Sequence, residues 1–181
     1  MLYYTSLATD LGEIALGATE QGLCRLSFGA ADDAWREHLC MTWQQDIESG
    51  QAQLADAIGQ LREYLSGERD AFDLGLDLSQ GTIFQQAVWR TTMTIPYGQV
   101  YSYGQVAALM AKPRAARAVG NALGRNPVPV IVPCHRVVTA DGSLGGFSIG
   151  LPLKRALLRI EGHPLGVMTA GTAQLLGFGE P

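Results

Sequence analysis

A proline-rich stretch late in the chain limits the fold more than any other feature of the sequence. Residues 126–138 read Asn-Pro-Val-Pro-Val-Ile-Val-Pro-Cys-His-Arg-Val-Val, with prolines at 127, 129 and 133. Proline lacks an amide hydrogen and fixes φ, so the stretch cannot be a helix and is disfavoured as a central strand. The sequence therefore predicts a rigid, extended path through apolar surroundings that brings Cys134 to the edge of a buried region.

Cys134 has two interpretations. A lone cysteine with apolar neighbours is usually an inert core residue. His135 and Arg136 follow it directly, however, and a thiol beside a base and a cation can form its thiolate near neutral pH. Neighbouring side chains on an extended chain point in opposite directions, so His135 would act on Cys134 through a water molecule or after a backbone bend. A histidine base also needs a third group that orients it.

Glu161 is the candidate for that orienting group. Apolar residues recur at helical spacing over 153–160, and Gly162 is expected to stop this helix. Glu161 would then lie in the last turn, where the helix dipole disfavours an anion. This placement predicts a cationic partner such as the imidazolium of His135; the alternative is an ordinary solvated glutamate.

The second half of the chain is predicted to be helical. Thr82 and Ser102 each begin a capping box, and Lys112-Pro113 forms a short turn into a third helix over about 114–123. Two short helices joined by a tight turn predict a helix-turn-helix. In the second helix, the helical period predicts that Val106, Leu109 and Met110 face inward. In the third helix, the same period places Ala115, Ala118, Val119 and Ala122 together on one side.

The outer face of the third helix predicts how it meets a partner. Arg114, Arg117 and Asn121 share that face, and the rest of the helix is mostly Ala and Gly. A major-groove recognition helix usually carries larger side chains, so small residues with one or two arginines suit the narrow minor groove of DNA better. The alternative is a plain Ala-rich core helix.

Charge separates the chain into two halves. Residues 1–80 hold 4 Lys and Arg against 14 Asp and Glu, whereas residues 81–163 hold 9 against 2. This separation predicts that the second half faces a polyanion, and the alternative is chance clustering on a solvated surface. No apolar run approaches the roughly 20 residues that a membrane helix needs. Three scattered cysteines without a CxxC motif favour a reduced, cytoplasmic setting with neither a disulfide framework nor a metal site.

The acidic half is predicted to combine strands and helices. Residues 13–18 and 22–28 are typical of a hairpin, and residues 31–40 of a short helix. Leucines and isoleucine at helical spacing over 54–65 predict a second helix. The alternation of apolar and polar residues over 72–78 predicts a half-buried strand.

Several motifs in the second half resemble one protein family. They are Pro133–Val137, Ala116–Ala122 followed by Arg125-Asn126-Pro127, Tyr97-Gly98 with Ser102-Tyr103, and the stretch from Gly146 to Gly162. Together they resemble the O6-alkylguanine-DNA alkyltransferases over about residues 81–163. The resemblance implies an α+β protein: a small N-terminal ribonuclease H-like α/β domain at 1–79, a winged-helix (helix-turn-helix) DNA-binding and catalytic domain at 80–165, and a C-terminal tail at 166–181.

The resemblance also implies a reaction. Cys134 would take the alkyl group from guanine O6, and also from O4-alkylthymine, in a single irreversible step that needs no cofactor. His135, acting through a water molecule, would be the base that Glu161 orients, and Asn126 would brace the turn between the DNA-binding helix and the cysteine. The protein would bind duplex DNA as a monomer in the minor groove, with the damaged base flipped out; cooperative binding stays open.

Two further groups of residues follow from the resemblance. The flipped base would be contacted by Tyr103, Phe147, Ser148 and Ile149. Arg117 would fill the gap that the base leaves, and the DNA would also meet Lys112, Arg114, Asn121 and Arg125. Phe147 and Ile149 stand where the family commonly has Tyr and Gly, and Ile149 is expected to narrow the pocket and slow the reaction of bulky lesions.

Three other functions stay open from the sequence. One is a protein that flags alkylation damage without chemistry, against which the presence of Cys134 argues. Another is a helix-turn-helix regulator, although its DNA-facing helix would have few side chains able to read bases. The third is a cysteine hydrolase, which would turn over repeatedly and need an oxyanion hole.

Overall fold

The N-terminal part of the protein is one four-stranded sheet with two helices. The computed structural model describes residues 1–166. Residues 167–181, nearly all of the predicted tail, lie outside the described residues. The elements are the strands β1 Leu2–Thr9, β2 Gly12–Thr19, β3 Gly22–Phe28 and β4 Ile47–Ser49 and the helices α1 Asp33–Trp43 and α2 Ala55–Leu65. The strand order is β3-β2-β1-β4, in which only β4 runs parallel to its neighbour.

Strand β2 is buried on both faces because a helix packs on each side of the sheet. On one face, Leu61 and Tyr64 of α2 share a core with Leu16. On the other face, a Cβ added to Gly17 would lie 2.7 Å from the side chain of Leu39 in α1. Glycine at position 17 therefore lets α1 approach the sheet closely.

Most of the predicted elements in this half are confirmed, and one is wrong. The hairpin, the helix near 31–40 and the helix over 54–65 are all present. The predicted strand over 72–78 is reduced to a single β-bridge from Leu76 to Leu23. Asp77, which the alternation placed in solvent, is buried and accepts a hydrogen bond from the Thr19 hydroxyl at 2.7 Å. The prediction that Asp77 faces solvent is therefore wrong. Strands β1 and β4 were not predicted.

The C-terminal part is helical, which confirms the α+β fold class. It contains the helices α3 Ile83–Thr92, α4 Tyr103–Leu109, α5 Ala116–Leu123 and α6 Leu151–Ile160 and two short parallel strands, β5 Tyr101–Ser102 and β6 Val137–Val138. Both predicted capping boxes, at Thr82 and Ser102, are present. Helices α3, α4 and α5 pack together around Val88, Val106 and Val119, which are fully buried. Within residues 1–166, no helix is both long and apolar enough to cross a bilayer.

One residue that was predicted to face inward and one residue from the apolar side of α5 are exposed. Leu109 is 57% exposed, and Ala118 also lies on the surface. At about 100° per residue, the buried face of α4 is centred between Val106 and Ala107, and Leu109 lies roughly 110° from that centre. The buried face of α5 is centred near Val119, about 100° from Ala118. The prediction for Leu109 was wrong, and in both helices the buried face is narrower than the apolar pattern.

Candidate active site

The proline-rich stretch reaches Cys134 through two bends. Val132 N donates to Val128 O at 2.9 Å, across a turn in which Val130 has a φ of +78°. Cys134–Arg136 then form one turn of 3₁₀ helix, so the prediction of a wholly extended path is wrong. Cys134 and His135 are therefore not held on opposite sides as in a strand, and the backbone bend that the sequence analysis left open is present.

Asn126 connects the two arms of this bend to the thiol. Its Nδ2 donates to Val132 O at 2.8 Å and to Cys134 Sγ at 3.1 Å, while its Oδ1 accepts from Val128 N at 3.0 Å. The thiol itself is only 6% exposed. Burial raises the pKa of Cys134 to about 11, and the Asn126 hydrogen bond and the charge of Lys154 oppose this rise. The thiol therefore needs a base to take its proton.

Glu161 follows α6 and is the acceptor on which the buried polar groups converge. His135 Nε2 lies 2.7 Å from Oε1, and Arg136 donates Nη2 to the same oxygen at 2.9 Å. Gly98 N donates to the other oxygen, Oε2, at 3.1 Å. The side chains of His135 and Glu161 are fully buried. The glutamate predicted to need a cationic partner is thus next to His135, but the permanent cation beside it is Arg136, which the sequence analysis did not assign.

This arrangement keeps Glu161 ionised and His135 neutral. Burial opposes the charge on Glu161, yet hydrogen bonds from His135, Arg136 and Tyr64 outweigh it and lower the pKa of the carboxyl to about 2. Burial lowers the pKa of His135, with Arg136 acting in the same direction and Glu161 against it. Because Arg136 already neutralises the carboxylate, an added proton on His135 would leave an excess positive charge in the interior.

The tautomer of His135 follows from these partners. A carboxylate can only accept, so a neutral His135 must donate Nε2–H to Glu161. Its Nδ1 then carries the free lone pair, and this buried nitrogen has no partner within residues 1–166. The ring is therefore set up to take a proton at Nδ1.

Lys154 of α6 is a buried cation that the sequence analysis missed. It is fully buried, and its Nζ donates to Val137 O at 2.6 Å and to Leu144 O at 2.5 Å. Burial lowers its pKa to about 8. Lys154 lies three and four residues before Leu157 and Leu158, which are both buried. This helical spacing was the signal that could have placed Lys154 on the inner side of the helix.

A cavity of about 390 Å³ opens beside the thiol. Its lining residues are Tyr103, Gly120, Leu123, Gly124, Cys134, Gly146, Phe147 and Ser148. The structure thus brings together Cys134 and three of the four residues predicted to contact a base. Ile149 is not among the lining residues of this cavity. The slower reaction of bulky lesions that its side chain is expected to cause stays a prediction.

The residues predicted to meet DNA are all exposed, and each lies on α5 or within a few residues of its ends. The exposed side chains are those of Lys112, Arg114, Arg117, Asn121 and Arg125. Among residues 1–166, none of the four cations forms a salt bridge. Lys112 Nζ lies 5.6 Å from the ring centre of Phe84. This surface, on and around α5, is called the α5 surface below.

Two family models match this chain in succession. The ribonuclease-like domain of 6-O-methylguanine DNA methyltransferase matches residues 2–78, and the DNA binding domain of the same family matches residues 83–163. The chain belongs to the 6-O-methylguanine DNA methyltransferase family. The family resemblance of the motifs is thereby confirmed.

Other members of the family are similar over nearly the whole chain. A methylated-DNA–protein-cysteine methyltransferase of Mycolicibacterium paratuberculosis is 50% identical over 161 residues, which cover 89% of this chain and 93% of that protein. The crystal structure of the Mycobacterium tuberculosis O6-methylguanine methyltransferase has a TM-score of 0.76 at 38% identity and covers 97% of this chain and 99% of that chain. The M. tuberculosis OGT in complex with DNA has a TM-score of 0.75 at 40% identity, covering 88% and 92%.

Proposed function

We propose that this protein repairs DNA by transferring the alkyl group of O6-alkylguanine in duplex DNA to Sγ of Cys134. The observation that carries the proposal is a buried thiol at the wall of a cavity, held by Asn126 next to a His135–Glu161 pair, in a chain of this family. O4-alkylthymine presents a similar alkoxy carbon and is proposed as a second substrate. The reaction is stoichiometric, with one transfer per chain.

The chemistry fits the residues without a cofactor. The thiol proton passes to Nδ1 of His135 through a water molecule, and the sulfur electron pair attacks the alkyl carbon in line with its bond to O6. The carbon–oxygen bond breaks, and its electron pair stays on the guanine. A proton from the Tyr103 hydroxyl or relayed from His135 neutralises that charge. The thioether product has no ready route to hydrolysis, so the protein reacts once.

The base must leave the duplex to reach this thiol. Cys134 lies at the wall of a cavity, and an O6 atom in a base stack cannot approach it. We propose that the base rotates into the cavity, between Tyr103 and Phe147, while Arg117 on the α5 surface takes its place in the stack. The small residues Gly120 and Gly124 line the cavity and let the DNA backbone come close.

A duplex carrying one O6-methylguanine with a labelled methyl group tests the reaction. Label is expected to move to the protein until one methyl is bound per chain, and the DNA is expected to regain guanine. Continued release of methanol, with many turnovers, would indicate a hydrolase and contradict the proposal. Tight binding with no transfer would indicate a protein that only flags damage.

The salt dependence of DNA binding tests the α5 surface. Each phosphate contact contributes about −0.9 to the slope of log K against log salt. Replacing Lys112 by Gln is therefore expected to weaken binding and to reduce the slope by about one. Fluorescence anisotropy with a labelled duplex at several salt concentrations measures both quantities.

Arg62→Gln is the matched control, because Arg62 is equally exposed but lies on α2 in the acidic half. It is expected to leave the slope unchanged. Equal slopes for all three proteins would contradict the assignment of the α5 surface. The stoichiometry of the same titration tests the proposed monomeric binding, and the shape of the titration curve shows whether successive copies bind cooperatively.

The cytoplasmic location of the protein stays a prediction from its cysteine usage.

A further inference from the structure

A side chain of the N-terminal part reaches the buried His135–Glu161 pair. Tyr64 Oη donates to Glu161 Oε1 at 2.6 Å and lies 3.2 Å from His135 Nε2. Tyr64 belongs to the last turn of α2, within the ribonuclease-like domain, whereas both partners belong to the DNA binding domain. The acidic half of the chain therefore contacts the groups that act on the thiol.

We propose that Tyr64 is a positioning residue through which the N-terminal domain fixes the orientation and protonation of His135 for alkyl transfer. This inference rests on the proposed function of Cys134 and assigns the N-terminal domain a part in it. Tyr64 touches neither the thiol cavity nor the α5 surface, so it would act only through Glu161 and His135.

The hydroxyl is held in place by aromatic packing from both domains. The side chain of Tyr64 is fully buried, and its ring packs against Phe72 with a centroid distance of 5.1 Å. Tyr97 packs edge-on against the same ring at 6.1 Å. A tyrosine has only two side-chain torsions, so packing on both sides leaves the hydroxyl little freedom. The Tyr64 hydroxyl oxygen is thus held in one position, from which it can orient the carboxylate of Glu161.

The Tyr64 hydroxyl stays protonated and donates its hydrogen bond to Glu161. Burial and the neighbouring carboxylate raise the pKa of Tyr64 far above its usual range. Since the hydroxyl has one proton and gives it to Oε1, it can offer only a lone pair to His135 Nε2. Both contacts favour the Nε2–H tautomer, which leaves Nδ1 free as the proton acceptor.

The distances decide which contact matters more. The 2.6 Å bond to Glu161 is short and charge-assisted, whereas the 3.2 Å contact to His135 is long. Tyr64 therefore mainly reduces the negative charge that Glu161 directs at the imidazole. The other charges that face His135 are those of Arg136 and Lys154, and both oppose its protonation. Removing the hydroxyl is expected to let His135 take up a proton at higher pH and to loosen its orientation.

The test compares Tyr64→Phe with the wild type in histidine-labelled protein. The chain has three histidines, so NMR resolves their rings, and a His135→Gln variant assigns the buried one. In the wild type without DNA, His135 is expected to show the Nε2–H tautomer. In Tyr64→Phe its pKa is expected to rise by about half to one unit, since one unit corresponds to 1.36 kcal/mol and a charge-assisted hydrogen bond exceeds that.

Single-turnover transfer provides the second readout. At saturating methylated duplex and neutral pH, Tyr64→Phe is expected to transfer about tenfold more slowly, because a misplaced base costs rate. Its DNA affinity is expected to stay unchanged. Tyr97→Phe is the matched control: it also removes a hydroxyl that bonds near the end of α6, to Ile160 O at 2.8 Å, but does not bond to Glu161 or His135.

The outcomes separate the inference from the proposed function. An Nδ1–H tautomer in the wild type overturns the inference without any variant. A Tyr64→Phe protein whose His135 pKa and transfer rate match those of the wild type also overturns the inference, even if this variant unfolds more easily. A fall in the pKa of His135 in Tyr64→Phe overturns it too. A Tyr97→Phe protein with the same changes overturns it as well. If the wild type transfers no methyl group, the proposed function fails, and the NMR titration still decides the role of Tyr64.

Discussion

Replacing Cys134 by Ser abolishes alkyl transfer, with a loss on the order of 10³-fold or more, because a hydroxyl is a far weaker nucleophile than a thiolate. The hydroxyl is close in size to the thiol and can still accept from Asn126 Nδ2, so the bend around it is expected to persist. The proposed DNA contacts are on the α5 surface, away from this substitution, so DNA affinity is expected to stay within about twofold. Single-turnover transfer and anisotropy on the same preparation measure the two effects.

Cys40→Ser is the control for this experiment. Cys40 is a half-buried thiol on α1, and its removal is expected to leave transfer unchanged. Cys24 resembles Cys134 more closely than Cys40 does, since it is also buried and burial raises its pKa to about 12. Unlike Cys134, however, Cys24 does not have Asn126 and His135 as neighbours. Transfer by Cys134→Ser within about tenfold of the wild-type rate, or loss of transfer in Cys40→Ser, would contradict the assignment of the nucleophile.

Replacing Glu161 by Gln lowers the free energy of unfolding by about 3–5 kcal/mol, because it leaves Arg136 as a buried charge without a counter-charge. It also replaces a group that can only accept by an amide that can turn an N–H toward His135, so the Nε2–H tautomer is no longer enforced and transfer is expected to fall by about 10²-fold or more. Urea unfolding and single-turnover transfer measure the two losses. Glu37→Gln, on the exposed face of α1, is expected to change stability by less than about 0.5 kcal/mol.

The double variant Glu161→Gln with Arg136→Met tests the reason for the stability loss. Removing both charges of a buried pair is less harmful than removing one. The double variant is therefore expected to recover at least part of the stability while remaining inactive. A double variant less stable than Glu161→Gln would contradict the view that an unpaired guanidinium causes the loss.

The same glutamate predicts a pH dependence of stability. Its pKa is about 2 in the folded protein and 4.5 ordinarily, so the folded state binds fewer protons. Its contribution to stability is complete above about pH 4.5 and is lost as the pH falls toward 2. The stability gap between the wild type and Glu161→Gln is therefore expected to narrow below about pH 4.5. A gap that stays constant across this range would contradict the ionised state of Glu161.

Local patterns predicted local structure well. The capping boxes at Thr82 and Ser102 depend on side chains three residues apart, and both are present. Gly67, two residues after the end of α2, has a φ of +79°, a backbone conformation that glycine adopts without strain. The segment over 72–78 pairs with β3 only through Leu23, whose backbone bonds to Gly75 and Asp77 form a single bridge, and no local pattern reveals how far such a pairing extends.

In the candidate site, too, contacts between residues close in sequence could be predicted, whereas contacts between distant residues could not. Cys134 and His135 are adjacent, and the need of Glu161 for a cation follows from its place at a helix end. Tyr64 bonds to Glu161 across 97 positions, and its helical spacing indicates only a core residue. The place of Arg136 beside Glu161 depends on the 3₁₀ turn, which the extended-path prediction did not include.

One measurement tests the central claim most directly. The full-length protein is mixed with an excess of duplex that carries a single O6-methylguanine, digested, and mapped by tandem mass spectrometry. A stable methyl thioether is expected on Cys134 in nearly every chain, with Cys24 and Cys40 unmodified. An unmodified Cys134 after the lesion has been bound, or a methyl group on any other residue, would contradict alkyl transfer to this thiol.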